Sequence, residues 1–105
     1  MATDRPYIEV VEPTLASEAG HCAALFASLL AAEPTLPYRL WVDRRAQLPQ
    51  FEHQGLPLQR FFRRRWRKPQ ALWLYRRLIR SAAPVLVPTA TWFDLRALDL
   101  AAGLL

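Results

Sequence analysis

Acidic residues are missing from the middle of this chain. Between His53 and Phe93 there is no Asp or Glu, while nine Lys and Arg fall there; the remainder holds five basic and nine acidic groups. Charge segregated in this way gives a field with a direction, so one region should attract anions. Glycine is scarce, at three residues, and no G-x-G-x-x-G or P-loop spacing occurs, which removes the usual dinucleotide and nucleoside-triphosphate signatures. The single cysteine, Cys22, can form neither an intramolecular disulfide nor a cysteine-based metal site. It lies in an alanine-rich helical run, where a small buried hydrophobe is its ordinary role. With only His21 and His53 available, no Ser/His/Asp set and no metal-ligand spacing can be assembled, so neither self-contained catalysis nor a cofactor is expected. His53, alone in a polar stretch, reads as solvated surface. The longest apolar or small run, Cys22–Ala32, falls well short of the roughly 20 residues that span a bilayer. The first residues, Met-Ala-Thr-Asp-Arg-Pro, carry no apolar signal region. These absences point to a soluble chain in the cytoplasm.

What is present is an alternation. The chain has 105 residues, 52% of them hydrophobic, which suits one globular domain over 1–105. Three strand-like runs, Tyr7–Val11, Tyr38–Asp43 and Pro84–Pro88, are each followed by a helical pattern: Gly20–Ala32, Pro69–Ala82 and Trp92–Ala102. That order predicts βαβ units, hence an α/β chain with a parallel sheet, a three-layer Rossmann-like βαβαβα cut short where a fourth strand is due. Cys22, Leu25, Phe26, Leu29 and Leu30 form the expected apolar stripe of the first helix. Ala71, Leu72, Tyr75, Leu78, Ile79 and Ala82 form that of the second, with Trp73, Arg76, Arg77 and Arg80 opposite. Leu95, Leu98 and Ala102 mark the buried side of the third, Thr91 and Asp94 have capping-box spacing, and Gly103 is a plausible C-cap. Pro84–Pro88 reads as a central strand. Glu9 is awkward in a strand expected to be buried on both faces: it lies near an edge, finds a partner or points into a site. The basic, aromatic-rich connection over 44–68 has weak periodicity, with Gln47–Gln54 as a helical turn or two and Gly55–Leu58 as a possible extra strand.

In an open parallel sheet ligands bind outside the carboxyl ends of the strands. That selects Glu12–His21, Asp43–Arg45 and Thr89–Asp94. In the first segment Glu18, Gly20 and His21 arrive at a helix N-terminus, where free backbone N–H groups favour an anion. The plainer reading is helix initiation, and for Thr89 and Thr91 it is capping. The basic segment, Arg60, Arg63, Arg64, Arg65, Trp66, Arg67 and Lys68, continues in Trp73, Arg76, Arg77 and Arg80. It suits an anionic membrane surface, or a nucleic acid through phosphate neutralisation and base stacking, or an exposed face whose aromatics pack inward.

The order of these parts resembles a family. A first strand followed by Glu12-Pro-Thr-Leu, then Glu18-Ala-Gly-His21 opening a helix, is similar to the N-terminal domain of GT-B-type glycosyltransferases. Pro84-Val-Leu-Val-Pro-Thr-Ala-Thr, with Asp94-Leu-Arg-Ala-Leu behind it, looks like the third βα unit of that domain. The resemblance covers most of the chain but about half of one such domain. It implies a Rossmann-like acceptor-binding portion of a transferase in polysaccharide or glycan assembly, with Gly20 and His21 beside the transferred sugar. Its partners would be a glycan or lipid-linked acceptor, the remaining domains of a parent protein and, peripherally, the inner face of the membrane. The donor-binding domain with its carboxylate motif has no counterpart here, so this chain alone would not be catalytic. A small standalone module for nucleic acid or an acidic protein is the other reading, and an exposed sheet edge also invites a homo-oligomer.

Overall fold

The computed structural model describes residues 7–81, 84–88 and 92–103. Their order is β1 (Ile8–Val11), α1 (His21–Ala32), β2 (Tyr38–Asp43), α2 (Pro49–His53), β3 (Leu58–Phe62), a 3-10 turn (Arg64–Trp66), α3 (Arg67–Arg80), β4 (Val85–Leu86) and α4 (Trp92–Gly103). The strands form one parallel sheet in the order β3-β2-β1-β4. The described residues form an α/β fold with four parallel strands and four helices, compatible with a small Rossmann-like architecture. The first two crossovers run to one side of β1 and the third returns to the other, which puts a topological switch between β1 and β4.

Side chains alternate across each strand, and both faces are covered. Val10, Tyr38, Leu40 and Val42 pack with Ala23 and Phe26 of α1 and Phe51 of α2. The Phe26 ring meets Tyr38 and Phe51 edge-on, with centroids 5.5 and 5.3 Å away. On the opposite face Val11 and Phe62 pack with Ala71, Leu74, Tyr75 and Leu78 of α3 and with Ala97 and Ala101 of α4. Glu9 is resolved by the second of its three options. β1 is an inner strand, and the carboxylate is 2% exposed, bound by Arg39 Nε and Nη2 at 2.8 and 2.6 Å and by Trp41 Nε1 at 2.8 Å.

Several expectations change. Among the described residues the sheet has four strands, because the 44–68 connection contains β3, three residues later than Gly55–Leu58 suggested. A register break hid it: Val42 pairs with Arg60 but Asp43 with Phe62, so Phe61 is an extra residue. The bulge sends both Phe61 and Phe62 to the α3 side and destroys the alternation a strand would show. Pro84–Pro88 is not central among the described strands; only Val85 and Leu86 pair, at the edge beside β1, as prolines that bracket a run would dictate. α3 opens at Arg67 rather than Pro69, and Leu74 is fully buried where Leu72 is only half-buried. In α1 only Ala23 and Phe26 are fully covered, with Cys22, Leu25, Leu29 and Leu30 half-buried. In α4 the buried side is Asp94, Ala97 and Ala101, while Leu95 is 61% exposed and Ala102 is exposed. Small residues at i and i+4 let α4 approach α3 closely, and that contact outweighs Leu95, while Leu98 packs half-buried against the same core as expected. Gly103 is the last residue of α4 rather than a cap beyond it. Thr91 lies outside the described residues; Asp94 accepts a hydrogen bond from the Tyr75 hydroxyl at 2.7 Å.

Candidate functional site

The carboxyl ends of β1, β2 and β3 deliver three segments to one edge of the sheet. The segment after β1 is stitched to the one after β2: Asp43 N donates to Leu15 O at 3.2 Å, Gln47 N to Ala16 O at 2.9 Å, and Ser17 bridges Gln47. The segment after β3 is stitched in turn, since Arg44 N donates to Phe62 O at 2.7 Å. Gln70 of α3 then fixes the end of β3, accepting from Arg63 N at 2.8 Å and donating to Phe61 O at 3.2 Å. Backbone hydrogen bonds thus hold Arg44 and Arg45 beside Arg63, Arg64 and Arg65.

These five arginines line a cleft of about 830 Å³ together with Ala16, Asp43 and Trp66. A second cleft of about 600 Å³ shares Arg44, Arg63 and Trp66 with it and is completed by Arg60, Phe61, Pro69, Gln70 and Trp73. Among the described residues the ion pairs engage Arg39, Arg60 and Arg67, and none holds the side chains of the five cleft arginines. The cleft's one carboxylate, Asp43, is occupied: it accepts Arg45 N at 2.8 Å and faces Arg67 Nη2 at 3.4 Å. Arg67 Nε is buried without a hydrogen-bond acceptor. Aromatic residues wall the second cleft in an ordered series. Trp41 meets Phe61 edge-on at 5.5 Å, Phe61 stacks on Trp73 at 5.7 Å, and Arg77 lies 5.3 Å over the Trp73 ring. Trp66 and Trp73 remain 59% and 51% exposed.

The predicted site residues separate into groups. Arg63, Arg64, Arg65 and Trp66 meet in the first cleft, and Arg60 and Trp73 line the second. Arg76, Arg77 and Arg80 flank Trp73 further along α3, around a depression of about 250 Å³. Arg60 is tied down, donating to Ala46 O at 2.8 Å and Glu52 Oε1 at 2.6 Å, and Lys68 is exposed in the first turn of α3. Glu18 is bonded within the fold: its Oε2 accepts Gln50 N and Phe51 N at 2.6 and 3.0 Å and so caps α2. Gly20 precedes α1 at φ 101° and ψ −178°, a conformation essentially confined to glycine, and an added Cβ there would meet nothing within 4 Å. His21, exposed, is the first residue of α1. Neither Gly20 nor His21 lines the arginine clefts. Thr89 and Thr91 lie outside the described residues. Arg44 and Arg45 lie outside the Arg60–Arg80 run that carries most of the basic residues; their signal in the sequence is position alone, at the carboxyl end of β2 in the Asp43–Arg45 segment.

Below the β1/β4 switch lies a different environment. Glu12, directly after β1, is fully buried, and Asp94 is 8% exposed. Burial, the hydrogen bond to Asp94, and then the charges of Asp94 and Glu12 push the Tyr75 hydroxyl far above the usual phenol range. This cluster fastens α3 and α4 beneath β1. Among the described residues no three His, Cys, Asp or Glu side chains gather as metal ligands would, and no helix is long and apolar enough to cross a membrane.

The class defined by this geometry is a parallel α/β protein whose candidate ligand edge is dominated by arginine and tryptophan. No family model, no curated protein and no solved structure matches the chain.

Proposed function

We propose that this chain is the N-terminal, acceptor-binding portion of a GT-B-type glycosyltransferase, acting in polysaccharide or glycan assembly. The observation that carries the reading is the 3-2-1-4 parallel order combined with a long β1–α1 segment that ends in Gly20 and His21 at the carboxyl edge. Gly20 is held by its dihedrals, and the open space around it leaves the backbone approachable by a sugar. His21 presents an imidazole in the first turn of α1, suited to a hydroxyl or phosphate oxygen. The test is an amide NMR titration of the chain with acceptor-type oligosaccharides. Shifts centred on Gly20 and His21, and affinity reduced about tenfold by His21→Ala, as expected for one lost polar contact, support the reading. Shifts confined to other regions, or affinity untouched by that substitution, remove it.

A second reading is favoured by the exposed Trp66 and Trp73 beside Arg44 and Arg63, whose side chains make no ion pair among the described residues: a small module for single-stranded nucleic acid. Binding of an oligonucleotide that falls steeply with added salt and needs no sugar would select it over the first.

A further inference from the structure

The two clefts share Arg44, Arg63 and Trp66 but differ in chemistry. The first gathers Arg44, Arg45, Arg63, Arg64 and Arg65 around one engaged carboxylate. The second contains Arg44, Arg60 and Arg63 but adds the apolar surface of Phe61, Pro69 and Trp73. Trp66 belongs to both and stands between them. Arginines that are merely solvated spread apart to relieve their repulsion; here strand ends and backbone hydrogen bonds bring five of them to one concave edge. Next to them two indoles keep more than half of their surface in water, an arrangement that favours a partner with a flat or apolar face. α3 also starts beside Trp66 with no acidic residue in its first turn, so its dipole adds to the attraction for an anion.

We infer that the double cleft is a binding site for an organic phosphate ester, most simply a diphosphate, with its phosphates among the arginines of the first chamber and its organic body against the indoles of the second. Guanidinium forks match phosphate oxygens in pairs, and several converging forks favour a multiply charged head over a single carboxylate. The volumes of about 830 and 600 Å³ lie within the range of small-ligand sites, roughly 300–1,000 Å³. Phe61 backs Trp73 in a stack at 5.7 Å, so the indole is already oriented before anything binds. Pre-orientation of this kind lowers the entropy lost on binding. The site goes beyond the acceptor reading, since it uses neither Gly20 nor His21. The same chemistry has two sources, an isoprenoid diphosphate and a nucleoside diphosphate, and the indole wall suits either body.

The experiment is a calorimetric titration of the chain at low salt with inorganic pyrophosphate, geranyl diphosphate and uridine diphosphate. At least one ester should bind about tenfold more tightly than pyrophosphate, the scale of one stacked or buried organic face. Trp73→Ala, at a residue that lines only the second of the two clefts, should remove that advantage and leave pyrophosphate binding unchanged, and Arg63→Gln should weaken all three. Both side chains are exposed, and circular dichroism of each variant verifies the fold; Trp66→Ala, at a residue of both clefts, should also reduce the ester advantage. The ester that wins identifies the source. Equal affinity for all three ligands, an ester advantage that survives both tryptophan substitutions, or no binding by any of them overturns the inference. A saccharide that shifts Gly20 and His21 in a chain indifferent to diphosphate esters would sink this site and leave the acceptor reading intact. Ester binding with no response to saccharides would do the reverse.

Discussion

Glu9 shows how one residue's environment fixes its role. Its carboxylate is enclosed between inner strands, and Arg39, with 31% of its side chain exposed, reaches across from β2 to hold both oxygens. Arg39 also lies over the Tyr7 and Trp41 rings, at 4.8 and 5.6 Å. Its own proton is held above the ordinary guanidinium value, first by the hydrogen bond to Glu9. Arg39→Met strands a buried carboxylate and should cost about 3 kcal/mol in urea unfolding, while Glu9→Leu/Arg39→Met together should recover most of that loss. Tyr75 gives a pH signature. Its phenol is raised from 10.0 by burial first and by Asp94 second, so its stabilisation is complete below pH 10.0 and is lost as pH rises further. Tyr75→Phe should cost about 1–2 kcal/mol near neutrality, from the lost hydrogen bond to Asp94. It should also flatten the alkaline decline, read from denaturant midpoints between pH 8 and 11. Part of that slope will remain, because Tyr38 is also raised by burial.

Among the elements, α2 depends on a residue from another segment. It has five residues, too few to hold a helix by propagation, and Leu48 at its N-cap offers no side-chain acceptor. Glu18 supplies that acceptor from the β1–α1 segment, and the negative charge also suits the helix N-terminus. Glu18→Ala should therefore cost about 1 kcal/mol and speed hydrogen exchange at Gln50 and Phe51, with exchange in α3 unchanged. Loss of ligand affinity without that change in exchange would restore Glu18 to the ligand site. The sequence assigns Glu18 to α1 because it stands three residues before that helix. The partner it finds lies 32 residues away, at Gln50, and no local pattern carries that separation.

At the scale of the whole molecule, the sheet separates two cores. Phe26 anchors one and Leu74 the other, each fully buried and sharing no cluster. Phe26→Ala should cost about 3–5 kcal/mol and Leu74→Ala about 2–5, so each alone takes a large part of the roughly 5–15 kcal/mol typical of a domain. With no shared partners the two losses should add. Thermal unfolding should therefore show two weakened single variants and a double variant without a cooperative transition. Survival of the double variant with a sharp transition would mean that the two faces compensate for each other.

The βα alternation, the α/β class and the exposure of Trp73, Arg76, Arg77 and Arg80 were legible in residue order. Each depends on periodicity or composition within a short window, where local sterics and burial act directly. The extra strand suggested at Gly55–Leu58 touches β3 only at Leu58, and its true bounds were not legible, because the Phe61 bulge is defined only by pairing with Val42 and Asp43 on β2. Nor was the buried side of α4, which the close approach of Ala97 and Ala101 to α3 selects over Leu95. The joining of Arg44 and Arg45 with Arg63, Arg64 and Arg65 belongs to the same class. A charge run states how much positive charge there is, but sheet register decides which arginines share a cleft. Residue types thus set the local elements and the local charge, while contacts between segments distant in sequence decide which of the charged side chains meet, because they depend on sheet register rather than on any local pattern.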